Sequence, residues 1–152
     1  MAEILYFEDE LVWRNKYKTL FINNDHNLDI YINSIGLLKA VDGNDINRPD
    51  IAVLDILEQE TNRNVGFKIC TAIKKRWPNL PVIFLTTHKA FGTEQLQSLK
   101  VKGNYFISKD QDEHGHFILE AITTALSITD PDYDRDIYEV GSLRVNQNEQ
   151  QI

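Results

Sequence analysis

The feature that most constrains this chain is a set of short, uninterrupted apolar runs that stop abruptly on polar or charged residues. Ile4-Leu5-Tyr6-Phe7 is cut off by Glu8-Asp9-Glu10, and Ile51-Ala52-Val53-Leu54 ends on Asp55. Pro81-Val82-Ile83-Phe84-Leu85 ends on Thr86-Thr87, and Tyr105-Phe106-Ile107 on Ser108-Lys109. Runs this short that do not alternate with polar residues read as strands buried on both faces, which is the habit of parallel sheets. Leu28 to Ile32 adds a second strand after the first. Between the strands the period changes to that of helices. Leu11, Val12, Tyr17, Leu20 and Phe21 recur at helical spacing, with Trp13 covering an edge, and Ile35 to Val41 gives a short helix. Val65, Ile69, Ala72 and Ile73 form another, closed by the cations Lys74-Lys75-Arg76. Phe91, Leu96 and Leu99 suggest a fourth, and Phe117, Ile118, Ala121, Ile122, Ala125 and Leu126 a fifth. Strands alternating with helices require parallel pairing and right-handed crossovers. The expected fold is therefore α/β, a doubly wound three-layer arrangement of five parallel strands in the order 2-1-3-4-5.

Charge and cysteine usage narrow what such a fold can do. The chain has 16 basic and 23 acidic residues, a formal charge of −7, which disfavours direct contact with nucleic acid or an anionic membrane. The single cysteine, Cys70, falls within an apolar helical pattern and is expected to be a buried structural thiol. No apolar run reaches the roughly 20 residues of a membrane helix, and the N-terminus lacks the layout of a signal peptide, so the expected location is cytoplasmic. Composition shifts near the end. Residues 1–128 hold the folded pattern, 129–136 are polar and charged with a proline and read as a linker, and 137–152 carry one more strand-like stretch.

In an open parallel sheet, ligands bind at the carboxyl ends of the strands. There the sequence delivers Glu8 and Asp9, Asp55, Thr86 and Lys109. Taken singly, each carboxylate is most simply a turn or cap residue and Lys109 a solvated charge. Together they are chemically complementary. Crowded carboxylates repel one another, and a hard divalent cation with oxygen ligands relieves the repulsion, so Mg²⁺ is the implied cofactor. Asp55 then serves as a nucleophile toward phosphorus, with Lys109 and Thr86 suited to holding phosphoryl oxygens. The histidines His26, His88, His114 and His116 have no convincing metal-ligand spacing, and the last two are expected on the surface near a helix start.

These residues resemble the receiver domains of bacterial response regulators, CheY-like, over Ala2 to about Leu126. The resemblance implies that Asp55 is phosphorylated by a sensor histidine kinase. It implies that Asp9, Asp55 and the carbonyl of Leu57 bind Mg²⁺, with Glu8 acting through water. Thr86 and Phe106 would be the switch, altering the face made by the fourth helix, fifth strand and fifth helix, and Leu57, Thr87 and His88 would tune the chemistry. Such a domain modifies itself rather than turning over substrate. Tyr138 to Val145 is similar to the first strand of the winged-helix effector domain of OmpR/PhoB-type regulators. That likeness implies a chain continuing into a DNA-binding domain, with DNA contacted only there, and a homodimer formed through the receiver.

Departures from the family pattern are equally specific. Gln59 stands where a proline is usual, Gly66 comes late so that the loop Glu58 to Val65 is long, and Thr87 replaces a smaller alanine. Asp110 replaces a proline that follows the lysine in a cis bond, so a trans bond is expected here. Asn104-Tyr105 and Ala121 occupy positions where dimer-forming charges are expected. Two alternatives stay open at this level: a degenerate receiver acting as a phosphorylation-independent interaction module, and an unrelated flavodoxin-like enzyme. The second lacks a glycine-rich phosphate loop after the first strand.

Overall fold

The fold was obtained as a computed structural model, which describes residues 1–43, 45–56, 65–87 and 105–127. In chain order these form β1 (Glu3–Phe7), α1 (Leu11–Asn23), β2 (Asn27–Tyr31), α2 (Ser34–Asp42), β3 (Ile51–Leu54) and α3 (Val65–Arg76). They continue with β4 (Val82–Thr86), β5 (Tyr105–Ser108), a short 3₁₀ turn (Lys109–Gln111) and a final helix, α4 (His116–Ser127). The five strands form one parallel sheet in the order β2-β1-β3-β4-β5, as the alternating pattern predicts. The helix expected over Phe91 to Leu99 and everything expected beyond residue 127 lie outside the described residues.

The sheet is covered on both faces, which explains why its central strands are apolar without alternation. Successive side chains of a strand point to opposite faces, so Leu5, Phe7, Ala52, Leu54 and Phe84 pack with α2 and α3. Ile4, Tyr6, Val53, Ile83 and Tyr105 pack with α1 and α4. In register, Phe7, Leu54, Phe84 and Phe106 form one buried row across four strands, just inside the edge where the polar residues emerge. Basic residues close α3 as expected, and they do more than face solvent. Lys74 donates to the carbonyl of Leu80 (2.6 Å), and Arg76 to those of Val41 (2.7 Å) and Ile46 (3.2 Å), tying the helix end to its neighbours.

In α1 the structure departs from expectation. Tyr17 and Phe21 are buried, but Leu11 and Val12 are exposed. At about 100° per residue, Leu11 and Val12 lie on the side of the helix turned away from Tyr17, whereas Trp13, one turn before Tyr17, packs against the same core cluster. Cys70 is buried, as read from its surroundings in the sequence. All peptide bonds among the described residues are trans, Lys109–Asp110 included. His114 is exposed and His116 opens α4, in keeping with their expected surface positions.

Candidate functional site at the carboxyl edge of the sheet

The strand ladders carry the acidic residues to one point. The amide of Glu8 donates to the carbonyl of Tyr31 (3.1 Å) and that of Asp55 to the carbonyl of Phe7 (3.1 Å), each bond extending a ladder by one residue. Glu8 and Asp55 thus leave adjacent strands side by side. Both are buried, as are Thr86, the last residue of β4, and Lys109, which follows β5 directly. Carboxylate oxygens of Glu8, Asp9 and Asp55 all lie within 4.8 Å of one another. The Lys109 ammonium contacts the Glu8 carboxylate and stands 3.4 Å from Asp55 Oδ2.

Local bonds fix this arrangement. Arg14 donates to the carbonyl oxygens of Glu8 (3.1 Å) and Asp9 (3.2 Å), clamping the turn that presents both acids. The Glu10 amide donates to Glu8 Oε2 (3.2 Å), and the Ile56 amide to Asp55 Oδ1 (2.8 Å). Gly66 is also part of the frame. Its amide donates to the carbonyl of Ile56 (2.9 Å), and a Cβ there would lie 2.3 Å from the carbonyl oxygen of Asp55. The glycine that comes late in the sequence is therefore where α3 meets the backbone of the strand-end aspartate, a contact that leaves no room for a side chain.

Electrostatics follow from burial. Removal from water pushes the Asp55 carboxyl up to about 8, with Lys109 opposing the rise and Glu8 and Asp9 adding to it. Three acids and one lysine leave an excess of negative charge when all are ionised, so the site needs either a proton on Asp55 or a bound cation. Clustered hard oxygen donors fit Mg²⁺, which takes one or two carboxylates and keeps positions for other oxygens.

Of the residues singled out in the sequence, Glu8, Asp9, Asp55, Thr86 and Lys109 are brought to this edge, and Thr87 follows Thr86, half-buried. Phe106 is fully buried and stands in register with Phe84. Leu57, Gln59 and His88 lie outside the described residues. Two positions read as lacking dimer charges, Tyr105 and Ala121, are buried in the core. Asn104 lies outside the described residues.

Arg14 was not among the residues singled out in the sequence, and Trp13 was expected only to cover a helix edge. The indole of Trp13 stands 5.2 Å from the Lys109 ammonium. An arginine in the first turn of the helix that follows an acidic pair was the available signal for the clamp.

A family model for the response regulator receiver domain matches residues 4–121. The chain belongs to this family. Receiver domains are the signalling modules of two-component response regulators, and the five-stranded order 2-1-3-4-5 is theirs. Among solved structures, a receiver domain protein from Clostridium thermocellum is 23% identical, with a TM-score of 0.69 over 83% of this chain and 94% of that one. The response regulator TrrA from Thermotoga maritima, solved in complex with Mg²⁺ and BeF, is 21% identical, with a TM-score of 0.67 over 83% of this chain and all (100%) of the other. The non-phosphorylated HemR receiver domain from Leptospira biflexa is 25% identical, with a TM-score of 0.65 over 88% and 100%. Comparison with curated proteins gave no match. Among the described residues of this receiver domain, no helix is long and apolar enough to cross a membrane.

Proposed function

We propose that this receiver domain accepts a phosphoryl group on Asp55 from a histidine kinase, with Mg²⁺ held by Asp9, Asp55 and the Leu57 carbonyl and by Glu8 through water. The observation that carries this reading is the buried meeting of three carboxylates with one ammonium, Lys109, at the carboxyl edge of the sheet. In the transfer, an oxygen of the Asp55 carboxylate forms a bond to phosphorus as the donor's bond to phosphorus breaks, and the leaving group departs with that electron pair. Mg²⁺ supplies neutralisation of the charge on the phosphoryl oxygens. Lys109 gives a fixed positive charge and Thr86 a hydroxyl to the same oxygens, and Arg14 keeps the acidic turn rigid during the exchange.

Phosphorylation biases two arrangements of the surface through Thr86 and Phe106, with Thr87 and His88 tuning the lifetime of the acyl phosphate. The domain spans residues 1–128 and acts in the cytoplasm as a self-modifying signalling module. The linker 129–136 and the tail 137–152 lead into a winged-helix output domain that binds DNA, and the receiver pairs with a second copy of itself. Acetyl phosphate with Mg²⁺ should add one phosphoryl group by mass spectrometry, and Asp55→Asn should add none. Equal modification of the variant would refute Asp55 as the acceptor. No modification of the wild type, with no saturable response to Mg²⁺ and beryllofluoride, would favour the phosphorylation-independent interaction module.

A further inference from the structure

Lys109 is nearly excluded from solvent, and its ammonium has three directions to satisfy. Two are taken by Glu8 and Asp55. Beside the ammonium stands Trp13, its ring centroid 5.2 Å from Nζ, within the range at which a cation is drawn to the face of an indole. Desolvation strengthens that attraction, because no water competes for the charge.

The ring is itself held in place, and from the same segment that carries the lysine. Trp13 stacks on Tyr17, one turn along α1, with centroids 6.3 Å apart and planes inclined by 25°. The Tyr17 hydroxyl donates to Asp112 Oδ2 (3.0 Å), and the Asp112 amide donates to the carbonyl of Lys109 (3.2 Å). Lys109, Trp13, Tyr17 and Asp112 thus close a loop of contacts. Lys16 braces its outer side, with its ammonium 5.2 Å from both aromatic rings and donating to the Asp112 carbonyl (3.4 Å). A tryptophan whose only task was to cover the end of α1 would have no need of such fixing.

We propose that Trp13 is a positioning residue for Lys109: its indole holds the ammonium where it meets both the Asp55 carboxylate and the oxygens of an incoming phosphoryl group. This rests on the function proposed above. Its consequence is that the rate of phosphorylation depends on the π-electron density of the side chain at position 13, and not merely on its bulk. A second consequence is that the indole senses the displacement of Lys109 when a phosphoryl group or its mimic arrives.

The test uses Trp77→Phe as a common background, so that Trp13 is the single tryptophan of the chain. Position 13 then carries tryptophan, progressively fluorinated tryptophans, phenylalanine (Trp13→Phe) or leucine (Trp13→Leu). Fluorination drains the ring face of negative potential with little change of shape, so it remains informative even where Trp13→Leu fails to fold. The initial rate of phosphorylation by acetyl phosphate at saturating Mg²⁺ should fall stepwise with fluorine count. The fully fluorinated ring and Trp13→Leu should lose about 3- to 30-fold, the span from an exposed to a desolvated cation–π contact. Trp13→Phe should keep most of the rate, and Mg²⁺ affinity should change by less than about 2-fold, because the ring is not among the oxygen donors. Trp13 emission should shift on adding Mg²⁺ with beryllofluoride. Rates that do not follow fluorine count in a background that is phosphorylated would overturn the role of Trp13 alone. A background and wild type that take no phosphoryl group would overturn the parent reading, and this one with it.

Discussion

Replacing Asp55 by asparagine should stabilise the metal-free protein, and the gain should grow with pH. Burial moves the Asp55 carboxyl from an ordinary 3.8 up to about 8, so the folded state binds a proton that the unfolded state has released. The sign follows directly. Below 3.8 the group is protonated in both states and costs nothing; between 3.8 and about 8, folded wild type loses stability steadily with rising pH; above that the loss is complete. Each tenfold gain in proton affinity on folding is worth about 1.4 kcal/mol, which puts the ceiling at roughly 6 kcal/mol. Local relaxation and water entry return much of it. An amide at position 55 also gives up attraction to Lys109, 3.4 Å from Oδ2, while it can still accept from the Ile56 amide. A net gain of about 1–3 kcal/mol near pH 8 is therefore expected, shrinking toward zero near pH 4. Urea unfolding of both proteins in EDTA at several pH values measures the difference directly, and titrating groups away from the site cancel between them. On the proposed function, millimolar Mg²⁺ should close the gap by stabilising the wild type preferentially, since it would bind the folded carboxylates. An Asp55→Asn protein less stable than wild type in EDTA, or a difference independent of pH, would refute the electrostatic account of the site.

Three further substitutions probe the frame around it. The hydroxyl of Tyr6 is buried without a hydrogen-bond partner among the described residues, so Tyr6→Phe should be neutral or stabilising by up to about 1 kcal/mol in thermal or urea unfolding. A clear loss would reveal a partner for the hydroxyl. Tyr17→Phe should cost about 1–2 kcal/mol at neutral pH by removing a donor to the buried Asp112. Burial already raises the Asp112 carboxyl against its bonds to Phe117 and Tyr17, so the variant should raise it further, read by NMR titration of the carboxyl carbon. Gly66→Ala places a methyl 2.3 Å from the Asp55 carbonyl oxygen and 2.7 Å from the Ile56 Cα, both backbone, and should destabilise by about 2–3 kcal/mol. An alanine variant as stable as wild type would mean that α3 does not meet the strand end so closely.

What the sequence disclosed and what it concealed divide along a physical line. Strand order and the meeting of Glu8, Asp55, Thr86 and Lys109 were legible because each depends on a local rule: a buried parallel strand must be apolar along its length, and its first polar residue must emerge at the carboxyl edge. The exposure of Leu11 and Val12 shows where the pattern was grouped too broadly: Trp13, Tyr17 and Phe21, spaced by four, mark the buried face, and the two aliphatics fall on the other side of the helix. Ala121, by contrast, sits where its helical spacing with Ile118, Ile122 and Ala125 places it, on the inner face of α4. Contacts between segments far apart in sequence were hidden for another reason. Trp13 and Lys109, or Tyr17 and Asp112, are each close to a hundred residues apart, and nothing in either local pattern encodes the other. Yet these contacts give the site its individuality. Any receiver domain with the acidic cluster and the lysine has the means to bind a cation and a phosphoryl group. On the reading proposed above, the aromatic pair on α1 determines how firmly the lysine of this one is held.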